Sequence, residues 1–514
     1  MMSAKMESSP ALTSLPVPDD GAEHLRTDGL MADLTGRTAR SGTIMVTSQG
    51  FKFFFNMASA VVLARLLTPQ DYGLIAMVAV VTNFSYPFRN LGLSAATIQK
   101  PTIDNRQVSN LFWVNVGLSV AIMLLTMAFA PVVAWFYGEP RLIWITIAIA
   151  VGFIFTGLAI QHEALLKRQM RFSGLAASEL GSMFSGTIAA IALAWWGAGV
   201  WALVGANLVT AFAFMSGVWI ACRWRPALPT RNSGVRSMLK FGRNLTGNNV
   251  LTYIARSIDN LLIGRVWGPT QLGLYARAYQ LLLLPLDQIS APIDGVAITA
   301  LSRLTDDPER YRGAYLRMLE KLAMVTMPIM ALMIGTSDWL VSVMLGPQWV
   351  ETGKIFAILG ILGLTEPISN TMGWLLISQG RTHHVLQWGV IDAVLSIASI
   401  LVGLPWGAIG VATSYAVTGV CLRKPLQFWF VTRSGPVRMK DFYRTIMASA
   451  VAALSVLAAL QIFRTNVELS KPFAGLVIGA LIAAVISFLA FLILPSGRRA
   501  LKDVRNVVTI LAKR

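Results

Sequence analysis

Charged side chains interrupt several long apolar runs of the sequence. Of the 43 Lys and Arg residues, about 36 are counted with loops or tails, which leaves seven inside such runs: Lys52, Arg89, Arg243, Arg256, Arg277, Lys321 and Arg444. A charge at membrane depth is expected to face the interior of a helix bundle or a water-filled cavity. Lys321 and Arg444 lie near run ends, where long side chains reach the headgroups. The other five are predicted to line a cationic cavity, although Arg243 and Arg277 lie close enough to an end to fit headgroup contact equally well.

Carboxylates inside the apolar runs are concentrated in the second half of the chain: Asp259, Asp287, Asp294, Glu366 and Asp392. The first half offers Glu179, near a run end. Buried carboxylates can bind a proton or sodium ion, or can neutralise a cation, as Asp259 would if it paired with Arg256 at i,i+3. The acids and histidines lack metal-ligand spacing, and no acid, base and nucleophile cluster, so we predict neither a metal site nor a catalytic site.

The composition indicates the environment in which these charges lie. The 514 residues are 55% hydrophobic and 13% charged, and the mean hydropathy is +0.61. Such values are typical of a polytopic membrane protein. The formal charge of +18 would also suit a nucleic-acid binder. However, the basic residues punctuate apolar runs and do not form one basic face, so we expect membrane lipids, and no nucleic acid, as their partners.

Fourteen segments are long enough to cross a bilayer, which takes about 20 apolar residues. They are 42–64, 72–96, 108–136, 142–162, 172–194, 199–222, 242–264, 271–302, 316–345, 354–378, 384–404, 407–431, 442–462 and 473–494. Successive loops lie on opposite sides of the membrane. The loops on one side hold about 26 Lys and Arg residues, and the loops on the other side hold about 6. Because basic loops stay in the cytoplasm, both termini are predicted to be cytoplasmic.

One stretch of the sequence occurs twice. ARLLTPQDYGLIAM at 64–77 aligns without a gap on GRVWGPTQLGLYAR at 264–277; LLKRQMR at 165–171 aligns on LLISQGR at 375–381, and WGA at 196–198 on WGA at 406–408. Equivalent points are six spans apart, so we predict two parallel six-helix repeats that pack as two lobes with a substrate site between them. The alternative is that turns between helices share Pro and Gly for local reasons.

The predicted fold is therefore an all-α polytopic membrane protein with an N-lobe, a C-lobe and two extra C-terminal helices. Its segments are a flexible cytoplasmic tail at 1–40, the N-lobe at 41–222, an inter-lobe linker at 223–241, the C-lobe at 242–432, two additional spans at 433–494 and a basic cytoplasmic tail at 495–514. The first tail has no apolar run long enough for the core of a signal peptide.

Four motifs, LLTPQDYGLIAM, NLGLSAATIQK, GRVWGPTQLGLYARAYQLLLLP and MLGPQW, resemble those of the polysaccharide transport family. This Wzx-like family belongs to the multidrug/oligosaccharidyl-lipid/polysaccharide exporter superfamily, and the resemblance covers roughly residues 40 to 435. It implies a flippase, not an enzyme, that moves undecaprenyl-pyrophosphate-linked oligosaccharide across the bacterial inner membrane by alternating access, without a cofactor. A polysaccharide polymerase and a chain-length regulator are the further partners that it implies.

The resemblance also implies roles for the intramembrane charges. A flippase needs a wet cationic cavity, because hydrocarbon penalises an unpaired pyrophosphate heavily. In the superfamily's lipid II flippases, cations on helices one, two and eight line the cavity, and Lys52 and Arg89, which lack local counter-charges in the sequence, lie on spans one and two. The candidate pyrophosphate ligands are Lys52, Arg89, Arg243, Arg256 and Arg277.

A coupling ion, a proton or sodium, is a further expectation from the resemblance. Related transporters hold a cation on helices seven, eleven and twelve. The corresponding candidates are Asp259, Asn260, Asp392, Thr413 and Thr418, with Glu366 on span ten.

Two other functions fit parts of the sequence. A drug or small-cation exporter of the same superfamily would need an acidic cavity in the first lobe, and this first lobe is basic. A membrane-embedded polysaccharide polymerase or ligase typically carries a large outer loop, whereas the outer loops here have about ten residues or fewer and no catalytic cluster.

Overall fold

The computed structural model describes residues 34–85, 94, 97–98, 103–230, 235–467, 469, 471–494 and 497–498. Nearly all of these residues are helical, and none of them lies in a strand. The bilayer core offers no water, so an apolar chain must satisfy its backbone hydrogen bonds within each segment, as an α-helix does. The prediction of an all-α membrane protein is confirmed.

Six helices form the first half of the described chain: α1 Leu34–Leu66, α2 Pro69–Phe84, α3 Asn105–Tyr137, α4 Leu142–Arg168, α5 Phe172–Trp195 and α6 Val200–Cys222. The chain bends by 120° between α1 and α2. A capping box between Thr68 and Asp71 satisfies free backbone N–H groups at the start of α2. Helices α5 and α6 approach closely at Gly186, because glycine has no Cβ. A Cβ at this position would lie 1.8 Å from Thr210 Oγ1.

Ten helices form the second half: α7 Val235–Ser302, α8 Pro308–Gly335, α9 Ser337–Met344, α10 Val350–Gly363, α11 Glu366–Ser378, α12 Thr382–Gly403, α13 Gly407–Thr418, α14 Lys424–Thr432, α15 Met439–Asn466 and α16 Pro472–Ile493. Helix α7 is two helices joined at Gly268, whose φ of 77° breaks the helical path. A wide π-type turn, Gly419–Arg423, connects α13 to α14 without a loop.

Helices cover more than half of each of the fourteen predicted spans. Within the described ranges, nine helical stretches are long and apolar enough to cross a membrane, and the bent pair of α1 and α2 is a tenth candidate. The number of crossings therefore stays a prediction. Helix α7 begins at Val235, so the predicted linker at 223–241 is helical over its last part.

The backbone confirms the predicted repeat. Met170 and Gly380, which are equivalent at an offset of 210 residues, both have a left-handed backbone, with φ of 55° and 69°. Gly197 and Gly407, related by the same offset, have φ of 77° and 74°. A residue with a Cβ rarely adopts this conformation, so Met170 carries a strain that Gly380 avoids.

Apolar cores are arranged differently at the two ends of the bundle. We call outer the end that carries the turn at Leu67 and inner the end that carries the turn at Arg171. One apolar cluster lies toward the outer end and draws on both halves of the chain. Toward the inner end, a cluster around Phe112 belongs to the first half and a cluster around Tyr311 belongs to the second. The halves thus share a core at the outer end and have separate cores at the inner end.

Candidate functional site

The repeated motifs pack against each other where α2 crosses α7. A Cβ at Gly73 would lie 1.7 Å from the carbonyl oxygen of Pro269, and a Cβ at Gly273 would lie 1.9 Å from that of Pro69. No side chain fits at either position. The two copies therefore make the same contact in reciprocal directions, as expected for two lobes related by a pseudo-twofold axis.

Further contacts between the halves surround this crossing at the outer end. The Gln348 side chain donates to the carbonyl oxygens of Ala64 (2.6 Å) and Leu67 (2.9 Å), and Trp349 Nε1 donates to that of Ala64 (2.8 Å). The last carbonyls of a helix lack partners within it, so these donors complete the end of α1. We call this assembly, residues 64–73, 269–273 and 348–349, the outer closure. The motif MLGPQW was identified in the sequence, but its contact with α1 was not predicted.

Arg277 lies beside the outer closure, in contact with the other half of the chain. Its guanidinium carbon is 3.6 Å from the centroid of the Tyr72 ring, and Nη1 donates to Gln280 Oε1 (2.5 Å). A cation over an aromatic ring contributes about 0.5 to 2 kcal/mol. The Arg277 candidate is thus held at the interface between the halves.

Lys52 has a counter-charge in the structure, which corrects the expectation that it lacks one. Its ammonium group forms an ion pair with the Glu179 carboxylate, and both side chains are partly buried. Glu179 was predicted near a cytoplasmic end. It lies seven residues after the start of α5 at Phe172, about 10 Å into the bundle, which is deep enough to reach Lys52 on α1.

A cavity of about 530 Å³ opens beside the Lys52–Glu179 pair, between α1, α5 and α6. Asn207, Thr210 and Phe214 of α6 line it together with this pair. The sequence analysis predicted that Lys52 lines a cavity. It did not predict the α6 residues, because Asn207, Thr210 and Phe214 are not distinguishable by sequence from other residues of an apolar helix.

Three other cationic candidates remain predictions. Arg89 lies outside the described residues. For Arg243 and Arg256 the structure describes the helix backbone of α7 and not the side chains. A single cavity that contains all five predicted cations is therefore not established.

Two of the carboxylate candidates in the second half face cations. Glu366 Oε2 is 2.7 Å from Lys424 Nζ, and Asp392 Oδ1 is 3.4 Å from Arg423 Nη1. These contacts indicate that the two carboxylates neutralise neighbouring cations, and they favour this role over the binding of a coupling ion.

Arg423 corrects a second expectation, because its charge was counted with an inner loop. It lies in the wide turn between α13 and α14, is 2% exposed, and donates to Ser396 as well as to Asp392. Its guanidinium carbon is 4.1 Å from the centroid of the Tyr415 ring. The count of loop charges assigned the adjacent residues Arg423 and Lys424 to an inner loop, whereas the π-type turn keeps them inside a continuous helical path.

Asp259 has neutral partners among the side chains that the structure describes, which do not include that of Arg256. Its carboxylate accepts a hydrogen bond from the Tyr275 hydroxyl (3.1 Å) and one from the backbone N–H of Asn260 (2.7 Å). The Thr413 hydroxyl is exposed and donates to Ile409 of its own helix, so this bond does not link it to Asp259. In the part of the chain that the structure describes, no three His, Cys, Asp or Glu residues form a potential metal site.

Comparison with known proteins agrees with this architecture. A model of the family described as "Polysaccharide biosynthesis protein" matches residues 62–354. The teichuronic acid biosynthesis protein TuaB of Bacillus subtilis (strain 168) is 26% identical over 393 residues, which cover 76% of this chain and 80% of TuaB. The succinoglycan biosynthesis transport protein ExoT of Rhizobium meliloti (strain 1021) is 23% identical over 459 residues, 86% of this chain and 91% of ExoT.

Among solved structures, the lipid II flippase MurJ in an inward closed conformation has the same fold. It superimposes with a TM-score of 0.67 at 14% sequence identity and covers 87% of this chain and 98% of MurJ. The family model spans more than half of the sequence, including both copies of the repeated motif and the outer closure. This chain is therefore a member of the polysaccharide biosynthesis protein family.

Proposed function

We propose that this protein is a flippase that moves undecaprenyl-pyrophosphate-linked oligosaccharide from the inner to the outer leaflet of the bacterial inner membrane, with both of its termini in the cytoplasm. Pyrophosphate and sugar hydroxyls are heavily penalised in hydrocarbon, so they need a hydrated path while the lipid tail stays in the bilayer. No bond is formed or broken, so the protein need not be an enzyme. The names of ExoT, a transport protein, and MurJ, a flippase, support this class of activity.

The observation that carries the proposal is the outer closure. Reciprocal glycine contacts and one shared apolar cluster join the halves at the outer end, whereas the inner ends have separate cores. Two parallel repeats of this kind can rock against each other, so that the outer closure opens while the inner ends approach, and a site between them is exposed to one side at a time. Arg277, held at the interface by Tyr72, is available to a pyrophosphate when the halves separate.

A proton or a sodium ion is the coupling ion in this proposal. Asp259 is the best-placed carboxylate for it, because its hydrogen-bond donors among the described side chains and backbone are the neutral Tyr275 hydroxyl and an N–H group, whereas Glu366 and Asp392 face cations. Flipping by the wild type and by Asp259→Asn, with and without each ion gradient, tests this role. Indifference of the wild type to both gradients would remove it.

The function is tested by reconstitution in liposomes. Lipid-linked oligosaccharide is placed on one leaflet, and its appearance on the other is followed with an enzyme that acts on the exposed sugar. We expect flipping by the wild type, at least about tenfold slower flipping by Arg277→Ala, equivalent to about 1.4 kcal/mol, and little change in Arg444→Ala, whose side chain is exposed. Absence of flipping by the folded wild type would contradict the proposal.

A further inference from the structure

We propose that the cavity between α1, α5 and α6 binds a sugar residue of the transported lipid-linked oligosaccharide, with Glu179, Asn207 and Thr210 as hydrogen-bonding partners of its hydroxyl groups. This inference rests on the proposed function and adds a sugar subsite within the first half of the chain. The volume of about 530 Å³ falls in the range of small-molecule sites.

The charge of the cavity selects a neutral ligand rich in hydroxyl groups over a bare anion. Lys52 and Glu179 neutralise each other, so an anion bound beside them would find no net positive charge and would be repelled by the partly buried carboxylate. Sugar hydroxyls impose no such cost. A carboxylate has about four acceptor positions and an ammonium group three donors, so the pair retains capacity for a ligand after bonding to itself.

The α6 wall combines polar groups with an aromatic ring in the arrangement that a pyranose requires. Asn207 and Thr210 are three residues apart on α6 and Phe214 is four residues further, so all three share one helix face. Asn207 uses one amide hydrogen to bond Leu203 (2.9 Å) and retains further hydrogen-bonding capacity. Phe214 offers an apolar surface to the C–H face of a sugar ring, and the small side chain of Ala211 leaves room for it.

The position of Thr210 is fixed by the packing of α5. Gly186 leaves space for Thr210 Oγ1, which would lie 1.8 Å from a Cβ at that position. The Thr210 side chain is therefore held at a close contact between two helices while the residue lines the cavity, so its position is fixed, as that of a specificity-determining group should be.

Cysteine protection tests what occupies the cavity. In a full-length chain with Cys222 and Cys421 replaced by Ser, Ala211→Cys reports on the cavity, and Ile188→Cys, on α5 but exposed, is the matched control. The probes are undecaprenyl pyrophosphate without sugar and lipid-linked oligosaccharide extracted from cells that make it. We expect only the sugar-bearing lipid to slow maleimide labelling, by about fivefold or more at ligand concentrations well above Kd, at Ala211→Cys and not at Ile188→Cys. Equal protection by both lipids would assign the cavity to pyrophosphate and overturn the inference.

Transport kinetics separate this inference from the proposed function. Thr210→Val keeps the shape of the side chain and removes the hydroxyl, and Asn207→Ala removes the amide. Each is expected to raise KM for lipid-linked oligosaccharide by about threefold to tenfold with kcat little changed, because a lost hydroxyl contact weakens binding in the ground state as well as in the transition state. Unchanged KM in both variants, with a wild type that flips, would overturn the sugar subsite alone. A wild type that does not flip would instead contradict the proposed function.

Discussion

At the scale of single residues, Arg423 depends on its acidic neighbour because the arginine is 2% exposed. Removal of one partner from a buried pair leaves an uncompensated charge. We expect Asp392→Asn to lower the free energy of unfolding by about 1 to 3 kcal/mol, less than for a fully buried pair because the Asp392 side chain is 40% exposed. Arg423→Gln should cost a similar amount, and the double variant less than the sum of the two. Thermal unfolding in detergent measures these losses, and strict additivity would show that the pair is not coupled.

A second residue-scale prediction concerns the left-handed turn that both repeats contain. A Cβ at Gly380 would meet no atom within 4 Å, so Gly380→Ala tests backbone strain without a clash. We expect it to cost about 1 kcal/mol, whereas Met170→Gly at the equivalent position should cost nothing or stabilise. Gly373→Ala is the control, since its Cβ also meets open space but its backbone is helical, and it should be neutral or stabilising by up to about 1 kcal/mol. Equal effects of Gly380→Ala and Gly373→Ala in thermal unfolding would contradict the assignment of strain.

At the scale of helices, the crossing of α2 and α7 depends on a glycine in each helix, because a residue with a Cβ would not fit there. Gly73→Ala and Gly273→Ala would push a Cβ into a backbone carbonyl, which cannot rotate away as a side chain can. The fully buried Ala64 reports on the outer closure when it is replaced by Cys. We expect a membrane-impermeant maleimide to label Ala64→Cys about fivefold faster in either variant, equivalent to about 1 kcal/mol of lost closure.

The control for this experiment is Gly117→Ala on α3, where a Cβ would meet open space. It should leave the labelling rate of Ala64→Cys unchanged. If both crossing variants behave like this control, then α2 and α7 slide past the added atom without opening the outer closure.

The helices and the six-helix repeat could be predicted from the sequence, because hydropathy and a repeated motif are properties of local stretches. Contacts between distant stretches were not. The bond from Trp349 to Ala64 joins residues 285 positions apart and depends on how two lobes dock. The Lys52–Glu179 pair depends on the relative depth of two helices, and boundary errors of a few residues hide it. Arg423 was misplaced because hydropathy cannot distinguish a charge at a span end from a charge buried by a π-type turn.

At the scale of the whole molecule, the two halves share a scaffold and differ in the charges that they hold. Among the described candidate residues, the first half holds the Lys52–Glu179 pair beside an open cavity, whereas the second holds the Glu366–Lys424 and Asp392–Arg423 pairs and the separately bonded Asp259. Duplication explains the matched backbone at Met170 and Gly380 but not these side chains. The proposed function assigns the rocking motion to this shared scaffold, and it assigns the division between substrate binding and ion coupling to the unequal charges.

The proposed function requires the outer closure to open in every transport cycle, and a reversible cross-link tests this directly. A Cβ at Gly346 would lie 3.7 Å from Arg65 Cγ, so cysteines at these positions, one in each half, are within reach of a short thiol cross-linker. We expect cross-linked Arg65→Cys/Gly346→Cys to flip lipid-linked oligosaccharide at the background rate and to recover on reduction. The single variants control for each substitution, and Gly346→Cys matters most because Gly346 has φ of 102°. Undiminished flipping by fully cross-linked protein would mean that the substrate passes without separation of the outer ends, and alternating access about this closure would then be wrong.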